Sequence, residues 1–122
     1  MNTAIIMLGS NTDGSKNIEV TLHKLVKCFE ITNKSVQVNT EPVGSQFSSS
    51  FQNVALKLLS KDTVEDTIAT FKDIEQEMGR KPDSKLTGII PIDIDLIFWN
   101  NTLVHDDYIR FEYVRECVNE IK

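Results

Sequence analysis

The chain is poor in the residues that mark unusual proteins. Five Gly and three Pro among 122 residues, with no block repeated, exclude a collagen-like, low-complexity or tandem-repeat protein and leave an ordinary packed fold. The two cysteines, Cys28 and Cys117, lie outside any CxxC or Cys/His cluster. A disulfide-stapled secreted scaffold is therefore excluded, and both thiols are expected to be reduced. Nowhere is there an apolar span of about 18 residues, so no membrane-crossing helix is expected. The opening stretch Met1 to Leu8 carries no basic leader, which points to the cytoplasm. Positive charge is in deficit, with 13 Lys and Arg against 18 Asp and Glu for a net −5. With no aromatic-basic stripe either, nucleic acids and anionic membranes are not expected partners. P-loop, GxGxxG, HExxH and GxSxG patterns are absent, and His23 and His105 are not spaced as a metal motif.

What is present fits one domain over residues 1–122, enough for one core and too little for a comfortable second. Ala4 to Leu8 is an apolar run closed by Gly9-Ser10-Asn11, which predicts a buried strand feeding a helix that starts near Lys16. Ile18, Leu22, Leu25 and Phe29 form that helix's apolar stripe, with His23 on its surface. Ile31 to Thr40 predicts a strand with Val36, Val38 and Thr40 on one side. After a turn-rich excursion, Phe51 to Leu59 predicts another. On it Val54, Leu56 and Leu58 face the core, and Phe51, Asn53, Ala55 and Lys57 face the other way. Asp62 or Thr63 caps a helix running to Gly79, with Val64, Ile68, Phe71, Ile74 and Met78 inward and Glu75 at the border. Arg80 to Pro91 reads as a loop. Ile92 to Trp99 is a strand with Ile92, Ile94, Leu96 and Phe98 on one face and Asp93, Asp95, Ile97 and Trp99 on the other. Asn100-Asn101 turns the chain, and an amphipathic segment runs from Phe111 to Ile121. Strand, helix, strand, strand, helix, strand is the order of an α+β, ferredoxin-like fold: a mostly antiparallel sheet with its helices on one face.

The residue types best suited to chemistry sit on the face expected to be free of helices. Asp93 and Asp95, two residues apart on a strand, project to the same side about 6.6 Å apart and reach a common cation. Mg2+ prefers such oxygen ligands, takes one or two carboxylates, and completes its shell with water and phosphate. A solvated strand is the alternative. Asn53 offers a donor and an acceptor to a heterocycle edge, and Phe51 a stacking surface, or each is a packing residue. Arg80, Lys81 and Lys85 surround the loop before the aspartates, where they hold phosphates or only face solvent.

Leu8-Gly9-Ser10-Asn11, Thr40-Glu41-Pro42-Val43-Gly44, Phe51-Gln52-Asn53, Ile74-Glu75 with Gly79-Arg80, and Asp93-Ile94-Asp95 occur in an order and spacing that resembles the 6-hydroxymethyl-7,8-dihydropterin pyrophosphokinase family. The likeness covers nearly the whole chain. It implies transfer of diphosphate from ATP to a pterin alcohol in folate biosynthesis. It places Thr40, Pro42, Val43, Phe51 and Asn53 at the pterin and Asp93 and Asp95 on two Mg2+ ions with ATP, with Arg80 joining them in catalysis. Glu75 is implied on the nucleotide side. The family's further arginines and Trp-Gly-Pro-Arg run are replaced by Pro82, Leu86 and Thr87-Gly88-Ile89-Ile90, its Pro-His pair by Glu112-Tyr113, and a later Arg and Phe by Asn119 and Ile121. Lys85 and Arg115 are the cations available to compensate near the nucleotide, and the chain stops around the region expected to help clamp it.

Three readings stay open at this level: an ATP-dependent diphosphokinase, a pterin- or metal-binding relative without efficient transfer, and a homo-oligomeric interaction protein hiding Phe51, Ile97 and Trp99 at a subunit interface.

Overall fold

The run Ala4 to Leu8 becomes the centre of the sheet because it is apolar on both faces. The computed structural model describes residues 1–41 and 49–122. In it Asn2–Ser10 forms β1, with Ala4, Ile6 and Leu8 in one core cluster and Ile5 and Met7 in a second on the opposite face. There follow α1 (Gly14–Leu25), β2 (Glu30–Lys34), β3 (Val38–Thr40), β4 (Phe51–Ser60), α2 (Val64–Glu77) and α3 (Ser84–Thr87). The chain continues with β5 (Asp93–Trp99), β6 (Thr102–Leu103), α4 (Asp107–Arg110) and α5 (Glu112–Ile121). The strand order is β2-β4-β1-β5-β6, with β3 also on β4, and every pairing among the described residues is antiparallel. With β2 and β3 taken as one interrupted strand, this is the expected ferredoxin-like order. Among the described residues no helix is long and apolar enough to cross a membrane.

On the first face α1 supplies Ile18 and Leu25, and α2 supplies Phe71 and Ile74, against Val54, Leu56, Leu58, Ile92, Ile94 and Leu96. The Thr63 hydroxyl caps α2, accepting the Asp66 N–H at 3.1 Å, while Glu65 and Asp66 complement the helix dipole. The α2 stripe is turned slightly from the sequence expectation. Ile68 is 37% exposed, and the buried Thr67 takes the inward place through a 2.8 Å hydroxyl pair with Ser60.

Four other expectations are corrected. The helices do not all lie on one face: Val114, Cys117, Val118 and Ile121 of α5 cover Ile5, Met7, Ala55, Ile97 and Phe98 on the second. Their spacing makes one stripe of a helix, and a sheet apolar on both sides must be covered on both. The strict alternation of β5 breaks at Ile97. The register passes from Ile5↔Phe98 to Ile6↔Leu96, so Ile97 is an extra residue. This bulge puts Ile97 and Phe98 together under α5 and sends Trp99 to the first cluster. Of the three residues expected at a subunit interface, Ile97 lies under α5 of its own chain. The strand expected over Ile31 to Thr40 is divided at Ser35. There the hydroxyl, rather than a backbone carbonyl, accepts the Ala55 N–H at 2.8 Å, and Val36 is turned outward. Finally, the loop expected from Arg80 to Pro91 contains α3, closed by Gly88 at φ 75. The Asn100-Asn101 turn forms as expected, both residues having positive φ (48 and 68) as a tight hairpin between β5 and β6 requires.

Because Ile97 is fully enclosed between sheet and α5, Ile97→Ala is expected to cost about 2–5 kcal/mol in urea denaturation. Ile89→Ala, at a site 54% exposed, should stay within about 0.5 kcal/mol of the parent.

Candidate active site

The site is organised by a buried carboxylate. Glu75, one helical turn after Phe71 on α2, is 4% exposed. Its Oε2 accepts the Ile94 N–H at 2.8 Å and an Arg80 Nη1–H at 3.1 Å. The same Arg80 nitrogen donates to Asp93 Oδ1 at 2.5 Å. Burial raises the Glu75 carboxyl above its usual range, opposed first by the Ile94 bond and then by Arg80. The end of α2, the turn after it and the start of β5 are thereby tied through two carboxylates and one guanidinium.

Asp93 and Asp95 both open into a cavity of about 250 Å³ whose walls include Gly9, Glu41, Phe51, Asn53, Arg80, Asp107, Phe111 and Tyr113. Asn53 is buried, and its amide donates to Thr40 Oγ1 at 2.8 Å, fixing which way it points. Gly9 fits closely beside it: a Cβ there would stand 3.2 Å from Asn53 Oδ1, which would have to give way slightly, and 3.8 Å from Phe51. The neighbouring Asn11 latches the loop before β5, accepting the Ile90 N–H and donating to Gly88 O, both at 2.7 Å. A second cavity, of about 330 Å³, is lined by Val64, Ile68, Phe71, Lys72, Ile94, Leu96, Val104 and His105, and again by Asp95. Asp95 can face both because β6 pairs only with the far end of β5. That pairing closes at the Val104 N–H to Ile97 O bond of 2.9 Å. Lys72 continues from this cavity into a third depression lined by Arg80 and Lys81.

Electrostatically, Asp95 is the unsettled member. Burial first, then the charge of Asp93, lifts its carboxyl to about 8, with Asp107 contributing. Two carboxylates that cannot both ionise without a counterion, offering only oxygen and opening to a cavity with side chains 35% and 31% exposed, fit a hard divalent cation. Tyr113 is raised to about 12, mainly by burial, and stays a donor at neutral pH.

The structure thus brings Asp93, Asp95, Arg80, Phe51 and Asn53 to one cavity, with Thr40 orienting Asn53. Glu75 stands behind them, its Oε2 occupied by Arg80 and the β5 backbone. Arg115 does not reach the cavities as the sequence suggested. Its guanidinium donates to the carbonyls of Tyr108 at 3.2 Å and Ile109 at 2.6 Å, closing α4. Pro42 and Val43 lie outside the described residues. Lys85 falls in α3, before the aspartate strand, with only its backbone described. Sequence reasoning missed Asp107, His105, Phe111 and Tyr113. Their one signal was the polar run His105-Asp106-Asp107 before the last amphipathic segment, which nothing in a linear pattern folds back onto β5.

A sheet of this order, with α1 and α2 on one face and α5 on the other, has counterparts among solved structures. The Plasmodium falciparum HPPK-DHPS wild type with pteroate superposes with a TM-score of 0.67 at 15% identity, covering 99% of this chain and 36% of that one. The chain belongs to the 7,8-dihydro-6-hydroxymethylpterin-pyrophosphokinase (HPPK) family, which it matches over residues 5–122. The folate synthesis bifunctional protein of Arabidopsis thaliana is 28% identical over 113 residues, 91% of this chain and 23% of that protein. The folic acid synthesis protein FOL1 of Dictyostelium discoideum is 30% identical over 107 residues, 87% of this chain and 16% of the relative. The chain therefore spans less than a quarter of the curated relatives it matches.

Two outcomes follow from the charge arrangement. Glu75→Ala removes the acceptor of the Ile94 N–H and half the pairing of Arg80, and should cost about 3 kcal/mol in urea denaturation, with Glu75→Gln losing less. At Asp95 the folded chain keeps a proton that the unfolded chain gives up near its ordinary 3.8, so this group lowers stability progressively as pH rises from about 4 to about 8. Metal-free Asp95→Asn should then melt above the parent at pH 8 and level with it near pH 4 by scanning calorimetry. An equal gap at both pH values would contradict the assignment.

Proposed function

We propose that this domain transfers the terminal diphosphate of ATP to the hydroxymethyl group of 6-hydroxymethyl-7,8-dihydropterin, a step of folate biosynthesis, with Mg2+ held by Asp93 and Asp95. The observation that carries the reading is that Asp95 lines two cavities of different character on either side of β5. The first has an oriented amide, Asn53, and flat walls from Phe51, Phe111 and Tyr113, which suit a planar heterocycle with an amide edge. The second is mostly aliphatic with Lys72 at its rim, which suits a purine whose phosphates run toward Lys72, Arg80 and the aspartates.

In the reaction the hydroxymethyl oxygen bonds to the β-phosphorus, the bond from that phosphorus to the oxygen bridging to the α-phosphate breaks, AMP leaves, and the hydroxyl proton passes to solvent. Asp93 and Asp95 hold the cation, which when bound neutralises phosphate charge. Asn53, set by Thr40, orients the acceptor so that its hydroxymethyl arm meets the carboxylates. Arg80, kept near Asp93 by Glu75, presents positive charge at the mouth of the first cavity.

Arg80 is the one arginine lining these cavities among the described residues, and this favours a second reading: a domain that binds the pterin and cation with little transfer. Incubation with ATP, the pterin alcohol and Mg2+ separates the two. The first predicts equal release of AMP and pterin diphosphate, reduced at least about 100-fold in Asp95→Asn. Calorimetric binding of the pterin with no AMP above background would overturn it in favour of the second.

A further inference from the structure

The acidic corner of β5 holds more ligand atoms than the proposed transfer uses. His105, in the link between β6 and α4, brings Nε2 to 3.9 Å from Asp95 Oδ1 and Nδ1 to 3.6 Å from Asp107 Oδ1. One imidazole nitrogen and one oxygen of each carboxylate lie within 4.8 Å of one another. All three side chains are part-exposed, between 21% and 33%, so an ion can enter from solvent. The charge around them is poorly balanced. Arg80 is shared by Glu75 and Asp93. Besides His105, Asp107 has among the described residues Arg110 at 3.9 Å, and that side chain is 59% exposed, a surface pair of small value.

We propose that Asp95, His105 and Asp107 form a mixed nitrogen and oxygen site for a divalent transition metal of the zinc or cobalt class, sharing Asp95 with the oxygen-only pair Asp93/Asp95 but differing from it in ligand set. Imidazole selects such metals over Mg2+, which prefers oxygen alone. Ligands about 2.0–2.2 Å from a tetrahedral ion stand about 3.3 Å apart, so the three groups need to close by roughly 1 Å, within reach of side-chain rotation. The Asp107 amide N–H donates to His105 Nδ1 at 3.1 Å, which turns Nε2 toward Asp95. For Nε2 to bind the ion the ring proton moves to Nδ1 and the bond from the Asp107 amide is given up, while the Asp107 carboxylate serves as a ligand.

The test is a titration of the purified protein with Co2+, followed by d–d absorption, and with Zn2+ by calorimetry, neither of which depends on turnover. The parent and Asp93→Asn should both develop the intense absorption of a four- or five-coordinate site. His105→Ala should bind at least about tenfold more weakly, and His105→Asn, which keeps a polar group there, should do the same if the alanine variant is poorly folded by its melting curve. Equal binding in the histidine variants, or loss of binding in Asp93→Asn with retention in His105→Ala, would overturn the proposal. A protein that binds Co2+ through His105 yet releases no AMP would refute the transferase reading and leave this site standing.

Discussion

Glu75 is a charge placed where a charge is expensive, and the geometry of the site follows from how that expense is met. A carboxylate almost wholly removed from water must find strong donors. The two nearest are the Ile94 amide and the Arg80 guanidinium. The first fixes the height of β5 against α2, and the second fixes the turn that leaves α2. Asp93 and Asp95, flanking Ile94, therefore inherit their position from a helix residue that touches neither directly. Such an arrangement adds little net stability compared with an apolar pair. What it adds is a single alignment of helix, turn and strand.

Much of this frame was legible in the chain. The alternation of Val54, Leu56 and Leu58 against Asn53 and Ala55 placed β4 correctly, and Thr63 with Glu65 and Asp66 announced the start of α2. The same alternation put Asp93 and Asp95 on one face. These are local signals in which propensity, capping and periodicity agree. The expectations that failed depended on non-local pairing. Nothing in Ile-Asp-Ile-Asp-Leu-Ile-Phe-Trp reveals that Ile97 is surplus to its partner strand, because a bulge is a property of two strands. Nor does the stripe Val114, Cys117, Val118, Ile121 say which face of the sheet it covers. Arg115 was credited with reach toward a ligand on charge alone, while the structure gives its donors to unpaired carbonyls at the end of α4, where helix termini leave them.

The family relationship and the site geometry complement each other. Membership in the HPPK family speaks for the fold and the order of the motifs, and the cavities show which side chains, among the described residues, that fold brings together. Asp95 faces both, Asn53 is held rigid by Thr40, and Gly9 keeps their approach clear. His105 and Asp107 enlarge the acidic corner beside Asp95, while Arg80 pairs with Asp93.

The surplus residue at Ile97 also affects how β5 tolerates changes in length. Within a regular strand, deletion of one residue exchanges the faces of everything beyond it. Ile97 is the exception, since Phe98 already shares its face and would step into its place. Asp93, Asp95, Phe98 and Trp99 would each keep their present side. The bulge thus works as a slip joint, separating the phase of the carboxylate half, which answers to α2, from that of the hairpin half, which answers to α5.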